Sequence, residues 1–252
     1  MYINLSGLTI LVTGASKGIG KAIATRLAEA GATVAIHYNT NLNKAEMLAQ
    51  SVGNESKAFQ ADFSKPEEVI KLFNKVIEEY DTIDVLVNNA GIAISTEFSI
   101  GEKEWLADWT QTMMVNLNAT GLLCKKAIEH FQKNRNGRII NITSRAAFRG
   151  DSPEYMAYAA SKGGVVSLTR SIARAYGKDG IKAFNIAPGF TRTDMAEEFI
   201  KAYGEEHAMQ DIALDKLTEP KDIAPMVTFL ASGMADHATG CTIDINAGSY
   251  VH

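Results

Sequence analysis

The feature that most constrains this chain is an alternation of short apolar runs with longer stretches of helical period. Residues 8–13, 33–38, 57–60, 83–88, 138–143, 181–187 and 241–245 read as strands. Between them, 18–30, 42–52, 66–80, 102–133, 153–176, 194–203 and 220–232 read as helices. The strand runs are almost wholly apolar, the pattern of strands covered by helices on both faces. This order predicts a doubly wound parallel sheet, a Rossmann-type α/β fold in three layers, α/β/α. No Pro/Ser-rich linker, charge block or repeat interrupts the 252 residues, which are expected to form one domain. The least regular stretch is 190–218. It reads either as a mobile substrate flap or as a solvated connection to the last helix.

Composition removes several classes of function. A chain that is 46% hydrophobic is not a disordered one. A net charge of −4, with no stripe of Lys and Arg, argues against a nucleic-acid binder. No apolar run reaches the roughly 18 residues that span a bilayer, and residues 1–6 lack the basic start of a signal peptide. A cytoplasmic protein is expected. Cys124 and Cys241 lie far apart with no Cys or His at metal-ligand spacing, and His37, His130, His207, His237 and His252 are scattered. Reduced thiols and no metal site are the expectation.

The first strand runs into Thr13-Gly14-Ala15-Ser16-Lys17-Gly18-Ile19-Gly20, followed by a helix. Glycines there let the backbone turn tightly and approach a pyrophosphate, while the helix start aims N–H groups and partial positive charge at it. Any strand-to-helix turn can use glycine, so the context carries the weight: first strand, turn, helix, second strand. The second strand ends at His37-Tyr38, followed by Asn39-Thr40-Asn41, and no carboxylate lies between Glu29 and Glu46. An Asp or Glu near this point would bind an adenosine 2′-hydroxyl and repel a 2′-phosphate. Its absence, with Lys17 inside the turn and Asn39 at the strand end, points to NADP(H) in preference to NAD(H). A Lys17 that is merely solvated is the competing reading.

Tyr158 and Lys162 are four residues apart on the helix that follows Ser152-Pro153, and so share one helix face. An adjacent ammonium favours phenolate and makes tyrosine an acid or base usable near neutrality. Of the tyrosines, only Tyr158 has a lysine at that spacing; an ordinary exposed helix can show the same pair. Ser144 follows the strand 138–143, at the carboxyl edge where open α/β sheets bind ligands. A hydroxyl there can hydrogen-bond a substrate carbonyl, although position alone does not separate Ser144 from Thr143. Asn88-Asn89-Ala90-Gly91 ends another strand at the same edge.

Together these residues resemble the single-domain branch of the short-chain dehydrogenase/reductase family, over essentially the whole chain. The match covers the T-G-x-x-x-G-x-G turn, Asp62, Asn88 to Gly91, Asn116, Ser144, Tyr158 with Lys162, and Pro188-Gly189 with Thr191 and Thr193. The resemblance implies hydride transfer between a nicotinamide cofactor and a carbonyl or secondary alcohol. By it, Gly14, Ser16, Lys17, Gly18, Ile19 and Gly20 hold the phosphates, and Asp62 with Phe63 meets the adenine. Asn89, Ala90 and Gly91 then approach the adenosine ribose, Lys162 also bonds the nicotinamide ribose, and Pro188, Gly189 and Thr191 line the carboxamide. It further implies Tyr158 as acid or base, Ser144 as carbonyl partner, Lys162 as tuner of Tyr158, and Asn116 as continuing a proton relay through water to Lys162. Only the resemblance selects Asn116.

Within the family, Gly137-Arg138-Ile139-Ile140-Asn141-Ile142, Pro188-Gly189-Phe190 and Phe229-Leu230-Ala231-Ser232 resemble 3-oxoacyl-carrier-protein reductases. Two segments depart: Ile92-Ala93-Ile94-Ser95 replaces the Thr-Arg-Asp common there, and thirteen residues, not twelve, separate Ser144 from Tyr158. A sugar, polyol or steroid alcohol dehydrogenase therefore stays open, as does a non-catalytic dinucleotide sensor. Arg145 and Arg149 bracket the longer loop, where they pair with an anionic substrate group or serve structure. The family's long helices, here 102–133 and 153–176, imply a homo-oligomer, a tetramer being favoured.

Overall fold

Strand β1 (Thr9–Val12) sits inside a seven-stranded sheet ordered β3-β2-β1-β4-β5-β6-β7, and every pairing is parallel. The other strands are β2 (Thr33–Tyr38), β3 (Lys57–Gln60), β4 (Val85–Asn88), β5 (Gly137–Ile142), β6 (Ile181–Pro188) and β7 (Thr242–Ile245). The computed structural model describes residues 3–193, 196, 200 and 204–251. The order reverses between β1 and β4, which opens a crevice at the carboxyl ends of those strands, the place where doubly wound sheets bind ligands. The doubly wound α/β fold expected from the sequence is the fold observed.

Helices α1 (Gly18–Glu29), α2 (Leu42–Val52) and α9 (Pro220–Ala231) cover one face. Helices α3 (Pro66–Tyr80), α5 (Ala119–Asn134) and α7 (Met156–Tyr176) cover the other. The alternation of strand side chains feeds both layers. Ile10 and Val12 pack with Ile23, Leu27 and Val227, while Leu11 between them packs with Leu72, Leu123 and Phe131. Burial of each such side chain contributes about 1.5–3 kcal/mol, which is why the strands are apolar on both sides.

One element differs from its sequence reading in a way that matters for the site. The helix expected over 102–133 is three pieces: α4 (Glu102–Met113), a π-helical turn (Met114–Asn118) and α5. The wider turn inserts one residue into the helical path and carries Asn116, and such insertions cluster at functional sites. Likewise 153–176 begins as a 3-10 turn (Pro153–Tyr155) before α7. The short α6 (Ala146–Arg149) and α8 (Glu205–Met209) complete the helices named here. The helix expected over 194–203 lies, apart from Ala196 and Ile200, outside the described residues.

Polar side chains cross the sheet in a level row. Asn88, Asn141, Asn185 and Thr242 are successive register partners on β4, β5, β6 and β7. Asn88 donates to Asn141 (2.8 Å), Asn141 to Thr169 of α7 (2.7 Å), Thr169 to Asn185 (2.6 Å) and Asn185 to Thr242 (3.3 Å). Four neighbouring strands are thereby tied to one another in register across the sheet. At the opposite edge Arg138 grips Asp236 with two bonds of 2.8 and 2.9 Å, joined by Lys182 at 3.3 Å. Both cysteines are free, and burial pushes the Cys124 thiol up to about 12. Among the described residues, no helix is long and apolar enough to cross a membrane, and no cluster of side chains could hold a metal ion.

Candidate active site

The glycine turn is shaped from both sides. Gly14 has φ +62°, and a Cβ there would lie 2.9 Å from Ala90 Cα; one on Gly20 would lie 2.3 Å from Gly14 O. Only glycine allows this backbone contact. On the β4 side, Asn89 Nδ2 donates to Thr13 O (2.8 Å) and Gly14 O (3.1 Å), and the Thr13 hydroxyl accepts from Asn89 and Ala90 N–H. On the β2 side, Gly14 N–H donates to His37 Nδ1 (3.0 Å) and Ala15 N–H to His37 O (2.8 Å). The N–H groups of Gly18, Ile19 and Gly20, in the first turn of α1, have no intrahelical partner and face the crevice end of the helix. Lys17 caps that helix and is exposed, as are Asn39 and Thr40 at the end of β2. A cradle of this form fits a dinucleotide pyrophosphate.

At the exit of β3, hydrogen bonds from the Ser64 hydroxyl and N–H hold the Asp62 carboxyl below its usual range, with Lys65 adding to the effect. Glu68 accepts the Asp62 N–H at 2.7 Å. Phe63 is buried and stacked on His37. Asp62, Phe63 and the turn thus converge on one end of the crevice.

The other end gathers Ser144, Tyr158, Lys162 and Asn116 from β5, α7 and the π turn. The structure separates the two candidate hydroxyls: Thr143 is buried and donates to Ile186 O (2.9 Å), whereas Ser144 is half-buried and hydrogen-bonds Tyr158. Ala146 N–H donates to Ser144 Oγ (3.1 Å), which leaves the Ser144 proton for another acceptor. Lys162 is buried, its Nζ donates to Ile142 O (3.0 Å), and it lies 5.7 Å from the Tyr158 ring centroid. Burial pulls its pKa down to about 8. For Tyr158 the direction is opposite to the sequence expectation. Burial raises its pKa, the Ser144 bond opposes this and the Asp151 carboxylate adds to it. Removal of water costs the phenolate more than its polar neighbours return, so the Tyr158 hydroxyl is held protonated.

Asn116 touches neither Tyr158 nor Lys162 by a direct hydrogen bond in the structure; instead it ties three segments. Its Oδ1 accepts from Ile92 N–H (2.8 Å), and its Nδ2 donates to Ile92 O (2.9 Å) and Ser161 Oγ (3.0 Å). Between them sits Gly91: a Cβ there would lie 3.2 Å from Asn116 Oδ1 and 3.4 Å from Lys162 Nζ. The bare glycine keeps both groups adjacent. Pro188 ends β6 and Gly189 follows it, and a Cβ on Gly189 would meet Asn246 Cα at 2.7 Å. Thr191 is buried, donates to Gly189 O (3.0 Å) and bridges to Thr218. Arg145 and Arg149 both turn to Asp211 of the 190–218 stretch, at 3.8 and 2.8 Å, so they join the loop after Ser144 to that stretch. Sequence reasoning missed His37, Thr13 and Glu68. Their roles lie in which backbone group each meets, and no spacing rule signals that.

A family model described as enoyl-(acyl carrier protein) reductase matches residues 14–250. The 3-oxoacyl-[acyl-carrier-protein] reductase of Vibrio cholerae serotype O1 is 36% identical over 252 residues, covering 99% of this chain and 100% of its own. That of Staphylococcus epidermidis is 37% identical over 244 residues, covering 96% and 98%. Among solved structures, a dehydrogenase/reductase from Sinorhizobium meliloti 1021 superposes with a TM-score of 0.90 at 34% identity, covering 99% and 98%. The 3-ketoacyl-(acyl-carrier-protein) reductase from Brucella melitensis, solved with NADH, gives 0.89 at 28%, covering 98% and 100%. With its fold, its glycine turn and matches of this length, the chain belongs to the short-chain dehydrogenase/reductase family of oxidoreductases.

Proposed function

We propose that this oxidoreductase reduces a ketone with NADPH, its substrate being a 3-oxoacyl thioester or a ketone of similar form. The observation that carries the reading is the meeting of Ser144, a protonated Tyr158 and Lys162 at the carboxyl edge of β5, one crevice away from the glycine turn. The names of the curated relatives support the thioester.

When bound, the nicotinamide ring would supply the hydride. The first-turn amides of α1 would hold the phosphates, Asp62 and Phe63 the adenine, Asn89 to Gly91 the neighbouring ribose, and Lys162 the nicotinamide ribose. Pro188, Gly189 and Thr191 would line the carboxamide. Preference for the 2′-phosphate rests on the missing carboxylate at the end of β2 and on the exposed Lys17, Asn39 and Thr40. His37, the titratable residue in that place, is buried and uncharged, which leaves the charge to Lys17.

Tyr158 donates its hydroxyl proton to the carbonyl oxygen as negative charge develops there, and Ser144 donates a hydrogen bond to the same oxygen. The Lys162 ammonium stabilises the phenolate that results. Asn116, through Ile92 and Ser161, fixes the wall along which Lys162 is resupplied with a proton. The Ile92–Ser95 segment and the thirteen-residue loop favour a second reading, a sugar, polyol or steroid alcohol dehydrogenase using the same proton path. A homotetramer is part of this proposal; exposed Phe98 and, on α4 with the Trp105–Trp109 stack, exposed Leu106 supply apolar surface for subunit contact.

Consumption of NADPH, with NADH in parallel, on an acetoacetyl thioester tests the reading. Turnover favouring NADPH is expected, and Tyr158→Phe should bind the nucleotide yet lose about 10²–10⁴-fold in kcat. Turnover of a polyol or steroid alone would select the second reading. Retained turnover in Tyr158→Phe would remove the proton role of Tyr158.

A further inference from the structure

The chemistry above makes no use of His37, yet this residue is 2% exposed and stands between the two halves of the nucleotide cleft. Its ring lies at the end of β2. Gly14 N–H points at Nδ1 at 3.0 Å, and Nε2 lies 3.0 Å from Ala61 O. A ring that accepts at Nδ1 must carry its proton on Nε2, so Nε2–H donates to Ala61 O and the imidazole is neutral. Phe63 lies parallel to it, with 4.2 Å between centroids and 6° between planes. The main chain repeats the tie through Ala15 N–H and His37 O at 2.8 Å.

Two consequences follow from this placement. One residue occupies both N–H groups of the turn that face β2, so the first-turn amides of α1 remain for an anion. Ala61 and Phe63 also flank Asp62, so one imidazole reaches from the phosphate end of the cleft to its adenine end. A core residue that only filled space would need the ring but not two directed hydrogen bonds.

We propose that His37 is a positioning residue for the dinucleotide: a neutral imidazole bridge that fixes the glycine turn at a set distance from the adenine end before the ligand arrives. This rests on the cofactor assignment made above. A bridge formed in advance removes ordering cost from the binding step, so its loss falls on affinity for the dinucleotide. Ser144, Tyr158 and Lys162 sit on other elements.

The test compares NADPH and NADH binding, followed by nucleotide fluorescence without substrate, in the full-length protein and in His37→Phe. Phenylalanine keeps a ring against Phe63 and removes both ring hydrogen bonds. The Kd is expected to rise about tenfold or more, the size of one lost buried hydrogen bond, with the effect on KM for the nucleotide rather than on kcat. Partial recovery is expected in His37→Asn, which restores an acceptor and a donor. A folded His37→Phe that binds within about twofold of the parent would overturn the bridge. Failure of the parent itself to bind either nucleotide would overturn the cofactor assignment instead. Should His37→Phe not fold, amide exchange in the parent decides: a Gly14 N–H protected before NADPH is added supports the bridge, and one that exchanges freely ends it.

Discussion

At the scale of single residues, the site is governed by how burial acts on two partners of unequal need. Lys162 loses water and its pKa falls to about 8; Tyr158 loses water and its pKa rises. The second shift keeps Tyr158 protonated near neutrality, the form that the proposed ketone reduction needs. The first gives opposite pH trends for activity and stability. Above pH 8 the Lys162 ammonium is lost, and kcat/KM for reduction is expected to decline. The folded-state pKa is depressed below the unfolded 10.5, so from about pH 8 to 10.5 the unfolded chain binds the extra proton. Stability contributed by this residue therefore rises across the same window. Denaturant midpoints of the ligand-free protein, compared with Lys162→Met, should show that rise in the parent alone; a flat parent profile would contradict the buried charge. Tyr158 and Lys162 were legible as a pair because helical spacing carries them. The direction of the Tyr158 shift was not, because it depends on how much water the folded chain removes.

Elements show where legibility stops. The strands and helices of the α/β frame follow the apolar runs closely; β1, for example, occupies 9–12 within the expected 8–13. The π turn at Met114–Asn118 is different. Its Val115, Asn116 and Asn118 are only slightly poor helix formers, and nothing in the pattern announces an extra residue per turn; the wider geometry goes with what Asn116 meets, namely Ile92 and Ser161. Removal of exposed Asn118 is expected to convert the turn to α-helix while both flanks keep their faces. Asn116 would then swing off the Ile92 segment. The deletion variant should retain its far-ultraviolet circular dichroism and lose at least about tenfold in turnover, the cost of misplaced site groups. Unchanged turnover would reduce the π turn to a packing detail. The Asn88–Asn141–Asn185 row was equally hidden, since each asparagine reads as a strand end or a weak strand former until register aligns them.

Over the whole molecule, the parallel sheet separates two edges with different duties. Every residue proposed for chemistry or nucleotide binding sits at or beyond the carboxyl ends of strands, while Arg138, Lys182 and Asp236 lock the amino ends. Asp236→Asn is expected to cost about 1.5–3 kcal/mol of stability, the scale of hydrogen bonds to a charged group in a half-buried pair, and to leave kcat near that of the parent. Thermal melts and steady-state rates on one preparation check this, and a loss of kcat without a loss of stability would deny the separation. Strand order has a further consequence, for the way the chain is made. The first strand to be synthesised, β1, is an inner strand, and its second neighbour β4 begins only at Val85. Thr13 likewise waits for Val87, Asn89 and Ala90 to close the turn. Until residue 90 has been added and has emerged from the ribosome, the nascent chain therefore carries an apolar strand with one bare edge, open to mispairing and to chaperones.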